Sequence, residues 1–177
     1  MIVIVGASAT GKSAILNELV NKHHMQKYIT CTTRGKRWNE VDDIDYHFLS
    51  KEDFEEKIKN DEFIEYVTYN GNYYGTLKKE VSPEKVVILE PQGLIAFKNK
   101  QVRLFAVYLN IDENVRYERM LIRGDSKEMA LERLKVDKEV FNEKIKPYID
   151  FTINRSNLTV EELAETIYTR YMQWMNY

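Results

Sequence analysis

Ile2-Val3-Ile4-Val5-Gly6-Ala7-Ser8-Ala9-Thr10-Gly11-Lys12-Ser13-Ala14-Ile15-Leu16 is the stretch that decides the fold. Ile2 to Val5 are apolar and β-branched, the composition of a buried strand. Gly6 to Ser13 match the spacing G-x-x-x-x-G-K-[ST], a phosphate-binding loop. After Lys12 the apolar residues Ile15, Leu16, Leu19 and Val20 recur at helical spacing. Strand, loop and helix thus follow in the order the motif requires. Gly6 and Gly11 permit a tight turn whose N–H groups converge on an anion, and the helix N-terminus adds partial positive charge there. Ala7, Ser8, Ala9 and Thr10 complete the cradle. Lys12 is predicted to reach the β- and γ-phosphates, and the Ser13 hydroxyl to ligate Mg²⁺.

Bulk properties narrow the remaining classes. A chain of 177 residues reads as one domain with a substantial core. The net charge of −2, from 26 basic and 28 acidic residues, gives no electrostatic ground for nucleic-acid or membrane binding. One cysteine, Cys31, excludes an intrachain disulfide and fits a reducing compartment. No apolar run reaches transmembrane length, and a strand beginning at Ile2 leaves no room for a signal peptide, so a cytoplasmic protein is expected.

Further along, Lys27 to Thr32 reads as a second strand, followed by a polar loop with Arg34, Lys36 and Arg37. Tyr46-His47-Phe48 is short and strand-like. Ser50 with Asp53 predicts a helix cap, the helix running to about Asn60. Phe63 to Tyr69 and Asn72-Tyr73-Tyr74 flank Asn70-Gly71, a hairpin turn signal. Val86 to Leu89 form a continuous apolar run, as in a parallel strand covered on both faces. Pro91 ends it and opens a short helix. Val102 to Leu109 is a strand, Asp112 to Arg123 a helix, Glu128 to about Lys146 a charged helix, and Phe151-Thr152-Ile153 a last strand. Thr159 caps a final helix with Leu163, Ile167, Tyr171 and Trp174 on one face, at core spacing. The expectation is an α/β fold, a parallel sheet flanked by helices with ligands beyond the strands' carboxyl ends, and a small, mostly β insertion at about 33–76.

Several separated motifs together resemble the guanylate kinases. They are Gly6–Ser13, Thr32-Thr33-Arg34 with Arg37, Glu40, Asp45-Tyr46-x-Phe48, Phe63-Ile64-Glu65, Gly71 to Thr76, Gln92-Gly93, Arg119 and Arg123, Arg133 and Asn154. The resemblance implies a P-loop NTPase fold with a core (1–32, 77–119, 148–177), a GMP-binding insertion (about 33–76) and a helical lid (about 120–147). It implies Mg²⁺-dependent transfer of the γ-phosphoryl group of ATP to GMP or dGMP. Arg34, Arg37, Tyr46 and Tyr74 would bind the acceptor phosphate, two guanidinium groups and two hydroxyls suited to a dianion. Glu65 would accept from guanine N1–H and N2–H₂, a donor pair adenine lacks. Thr30 and Thr76 keep hydroxyls where the family often has serine. Arg119, Arg123 and Arg133 would close over the phosphates, and Asn154 is the candidate adenine contact. Lys12, Arg34 and the lid arginines would carry the catalysis. A monomer or homodimer is expected.

This chain departs from the family pattern in places. Two aspartates two positions apart usually precede Gln-Gly; here Ile88 and Glu90 stand there. Glu90 serves either the guanine side or, through metal-bound water, the magnesium shell. Gly124-Asp125-Ser126-Lys127-Glu128 replaces a Thr/Glu-rich lid segment and is one residue shorter. These changes bear on turnover and acceptor preference more than on fold. Two alternatives remain: a related kinase with another acceptor, such as another monophosphate or a ribose bisphosphate, and a non-catalytic guanylate kinase-like binding module.

Overall fold

A computed structural model describes residues 1–38, 40–69, 71–154 and 157–176. Asn70, half of the expected Asn70-Gly71 turn, lies outside the described residues.

Burial of the first strand on both faces organises the molecule. β1 (Ile2–Gly6) is wholly buried and leads to α1 (Lys12–His23). Successive strand residues point to opposite faces. Ile2 and Ile4 therefore pack with Ile15, Leu19 and Ile167, while Val3 and Val5 pack with Leu94 and Phe97. β1 pairs in parallel with β7 (Lys85–Ile88) and β8 (Phe105–Leu109). β2 (Gln26–Lys27) and β9 (Phe151–Ile153) complete a parallel sheet of order β2-β7-β1-β8-β9. One face carries α1 and α6 (Val160–Met175), the other α3 (Pro91–Asn99). Thr159 and Glu162 form a reciprocal capping box at the start of α6. Leu163, Ile167, Tyr171 and Trp174 of that helix pack on the core, as their spacing predicts.

A second sheet has the order β4-β3-β6-β5. It comprises β3 (Cys31–Thr32), β4 (His47–Phe48), β5 (Phe63–Tyr69) and β6 (Asn72–Leu77), and α2 (Lys51–Lys59) packs against it through buried Phe54. Ser50 caps α2 by accepting from the Asp53 N–H at 2.9 Å, as predicted.

The expected strand over Lys27–Thr32 is divided between the two sheets. Gln26–Lys27 pairs with β7 and Cys31–Thr32 with β6, so the chain crosses over at Tyr28–Thr30. Tyr28 is buried there, and its hydroxyl donates to the Leu77 carbonyl, which tethers the second sheet to the first. The helix expected to run to about Lys146 ends earlier: α5 spans Lys127–Val140, and a separate 3₁₀ segment covers Glu143–Tyr148. Asn142 accepts from the Lys144 N–H and caps that segment, which contains Pro147; a proline cannot continue an α-helix. α4 (Glu113–Ile122) packs on α5 through Met120, Ala130 and Leu134. Among the described residues, no helix is long and apolar enough to cross a membrane.

Gly75 of the second sheet is closely packed. A Cβ on Gly75 would stand 2.8 Å from the Phe63 ring and 2.9 Å from the Phe54 ring. Both rings are buried and stacked, with centroids 4.3 Å apart, so neither moves cheaply. Gly75→Ala is expected to destabilise the chain by about 1–3 kcal/mol in urea denaturation. Gly35→Ala, with nothing within 4 Å, serves as a near-neutral control.

Candidate active site

The loop between β1 and α1 has the conformation of an anion cradle. Gly11 lies at φ +97°, a region glycine enters without strain, and Ala9 at φ +59°. Gly6 is dictated by close approach, since a Cβ there would lie 3.1 Å from the Leu109 carbonyl oxygen. Thr10 Oγ1 donates to the Ala7 carbonyl at 2.9 Å and ties the loop across itself. Lys12 Nζ folds back onto the same carbonyls, donating to Gly6 at 2.5 Å and Ala7 at 2.9 Å. Burial lowers the Lys12 pKa, opposed by the charges of Glu90 and Asp137. Ser13 stands exposed in the first turn of α1.

A cleft of about 540 Å³ opens over this loop, lined by Ser8 to Ser13 together with Arg119, Arg123 and Arg133. The structure therefore brings the three predicted lid arginines to the phosphate loop. Arg119 Nη1 donates to the Ala9 carbonyl at 3.3 Å. Arg123 pairs with Asp125 at 2.6 Å and Arg133 approaches the same oxygen at 3.9 Å. Gly124, at φ +98°, turns the chain between α4 and α5 so that these cations converge. Leu158, Val160 and Leu163 form an apolar wall of the cleft. Asn154 is not part of that lining. It accepts from Asn110 at 2.7 Å and faces a separate cleft with Arg116 and Asp137.

The second sheet carries the other group. Arg34 donates to Glu40 at 2.7 Å and to the Gly35 carbonyl at 2.8 Å, with its guanidinium 5.6 Å from the Tyr46 ring centroid. Tyr46 and Tyr74 meet edge to face at 6.4 Å. The other Glu40 oxygen accepts from the Arg37 N–H at 2.8 Å, so one carboxylate braces both ends of the arginine loop. Hydrogen bonding to Arg34 and to that N–H holds the Glu40 carboxyl below the usual range. Thr30 and Tyr46 line a cleft of about 310 Å³ between the sheets, whose far wall includes Leu16, Val87 and Ile88. Ile88, at a usual aspartate position, thus contributes an apolar surface there.

Glu65 and Thr76 face each other across the β5–β6 pair, with Thr76 Oγ1 donating to Glu65 Oε1 at 3.0 Å. Burial raises the Glu65 carboxyl above its ordinary range, partly opposed by that hydrogen bond. Glu90, at the N-cap position of α3, is likewise raised by desolvation, with Lys12 acting against the shift and Asp137 adding to it. Its electrostatic neighbours are thus on the phosphate-loop side.

Two residues escape sequence reasoning. Arg116 and Asp137 form a buried ion pair at 2.7 Å, 7% and 8% exposed, directly behind the phosphate loop. They lie 21 residues apart in helices whose charged residues read as solvated faces, and no local pattern marks them. Glu40 was visible as part of a motif, but its bracing of Arg34 was not.

A family model described as guanylate kinase matches residues 1–171. A guanylate kinase from Fusobacterium nucleatum subsp. nucleatum is 37% identical over 142 residues, covering 75% of this chain and 76% of that protein. One from Clostridium tetani is 38% identical over 138 residues, covering 74% and 66% respectively. The crystal structure of a guanylate kinase from Anaplasma phagocytophilum superposes with a TM-score of 0.64 at 21% identity, covering 98% of this chain and 85% of that one. A shikimate kinase from Acinetobacter baumannii shares the fold, with a TM-score of 0.55 at 12% identity.

The raised Glu65 carboxyl has a measurable consequence. An acid whose folded-state pKa exceeds its unfolded value binds more protons when folded, so its contribution to stability falls as pH rises above the unfolded pKa. Glu65→Gln removes that penalty. In urea denaturation the variant is expected to gain stability relative to the parent between pH 4.5 and pH 8, with little difference at low pH; a pH-independent difference contradicts the assignment.

Proposed function

The chain belongs to the guanylate kinase family, and on that premise we propose that it transfers the γ-phosphoryl group of ATP directly to GMP or dGMP. The observation that carries the acceptor assignment is the half-buried Glu65 carboxylate with Thr76 bonded to it. A buried carboxylate with a free lone pair binds a ligand presenting adjacent N–H donors, and guanine presents such a pair where adenine does not. Thr30 and Thr76 lend hydroxyls to the base. Arg34 and Arg37, joined through Glu40, grip the acceptor phosphate with Tyr46 and Tyr74.

On the donor side, the Gly6–Ser13 backbone and the start of α1 cradle the triphosphate. Lys12 leaves the Gly6 and Ala7 carbonyls to meet the β- and γ-phosphates, its charge replacing those two bonds with a stronger pairing. Ser13 and Glu90 offer hard oxygen donors at the loop, the donor set that suits Mg²⁺, which keeps several waters and takes few protein ligands. Held by these two residues, Mg²⁺ would supply neutralisation of the phosphate charge. Arg119, Arg123 and Arg133 close from the lid, neutralise charge on the moving phosphoryl group and exclude water. No protein base is required, because the barrier yields to positioning and charge neutralisation. Asn154 would have to shift from its cleft to touch adenine. The core, insertion and lid divisions (1–32, 77–119 and 148–177; about 33–76; about 120–147), a cytoplasmic location and a monomer or homodimer belong to the same reading.

The test is transfer from ATP–Mg²⁺ to GMP, dGMP, AMP, UMP, CMP and dTMP. Activity is expected on GMP or dGMP alone. Lys12→Ala should lower kcat by about 10²–10³-fold, as for loss of a preorganised transition-state donor. Glu65→Gln should raise KM for GMP roughly 10–100-fold, the worth of hydrogen bonds to a charged group, and leave KM for ATP in place. ATP binding without transfer to any of the six acceptors would sink the reading.

A further inference from the structure

We infer that Asp137 and Arg116 are positioning residues for the phosphate loop, a clamp through which α4 and α5 hold Ser8 and Ala9 in the conformation that receives the triphosphate. The inference rests on the reading that this loop binds ATP.

Every polar group of Ser8 is engaged by the pair. Asp137 Oδ2 accepts from the Ser8 N–H at 3.0 Å, and Oδ1 accepts from the Ser8 hydroxyl at 3.2 Å. Arg116 Nη1 donates to Asp137 Oδ2 at 2.7 Å and reaches the Ser8 carbonyl at 3.4 Å. Asp137 comes from α5 and Arg116 from α4, so two successive helices converge on one loop residue. The next residue needs such support. Ala9 has a side chain yet sits at φ +59°, a left-handed conformation unfavourable for L-residues and kept only where the surroundings over-determine it. Its carbonyl accepts from Arg119, and its methyl packs against Met120, Ala130 and Leu134. The backbone of Ala9 sets the course of the loop after Ser8, so α4 and α5 act together with Gly6 and Gly11 in shaping the cradle. Arg116 also neutralises Asp137, without which a carboxylate behind the loop would repel the incoming phosphates.

The test uses the full chain and reads ATP affinity by titration calorimetry, alongside thermal melting and KM for both nucleotides. Arg116→Leu with Asp137→Leu replaces a buried ion pair by apolar groups, a change that folded proteins tolerate better than removal of one partner. The double variant is expected to melt cooperatively and to bind ATP about tenfold more weakly, the scale of one charge-assisted hydrogen bond. KM for GMP should not change, which a general loss of structure would not spare. Adding Ala9→Gly should recover part of the ATP affinity, because glycine holds a positive φ without the clamp. Arg116→Gln with Asp137→Asn keeps the approximate size and the net charge of the pair but replaces its charge-assisted bonds by neutral ones; a smaller loss in the same direction is expected, and this variant serves if the apolar double variant fails to fold. Parent-like ATP affinity in either folded double variant, or an ATP loss that Ala9→Gly leaves unmoved, overturns the inference. A parent chain that binds ATP but phosphorylates no monophosphate defeats the acceptor assignment and leaves this readout intact.

Discussion

The structure depends on the burial of β1 on both faces. A strand whose alternate residues are Ile2 and Ile4 on one side and Val3 and Val5 on the other must be covered by two layers. α1 and α6 supply one layer and α3 the other. Once the strand is held, Gly6 emerges against Leu109 with no room for a side chain, and the loop that follows starts from a fixed point. The anion cradle is therefore a consequence of core packing. Its N–H groups converge because the strand behind them cannot shift.

The acceptor half is built on a different principle. The second sheet is small, its core is the cluster around Phe54, Phe63 and Leu77, and its polar residues are organised by carboxylates. Glu40 locks the Arg34–Arg37 loop, and Glu65 waits in a half-buried setting with Thr76. Tyr28 joins this sheet to the parallel one through its bond to Leu77. The crossover between the two sheets is itself bonded to both, the Tyr28 N–H donating to the Val86 carbonyl and the Thr30 carbonyl accepting from the His47 N–H. The donor half, by contrast, is held by helices on both faces.

How legible each part was follows from the range of the interactions involved. The phosphate loop, the caps at Ser50 and Thr159 and the apolar face of α6 are local, so they were readable directly. The composition of Lys27–Thr32 is strand-like throughout and does not show that two different partners claim its ends. The end of the charged helix at Val140 is not visible in the sequence, because the 3₁₀ segment after Asn142 keeps helical spacing. Arg119, Arg123 and Arg133 were identified from motif order, and the cleft they share with the loop agrees with that order. Asn154 stands apart from that cleft, because its partner is Asn110 at the end of the neighbouring strand.

The sequence by itself determined the α/β class, the phosphate loop with its Lys12 and Ser13, and the family, because these rest on residue types at short spacings. Tertiary structure alone decided which charges are functional neighbours. Arg116 and Asp137 have ordinary neighbours in sequence, and only the packing of α4 on α5 behind the loop brings them together and out of water. Removal from water is what turns an unremarkable surface pair into a clamp, since a charge-assisted bond gains strength as solvent is excluded. No local pattern encodes that exclusion; it exists only once the lid helices have docked.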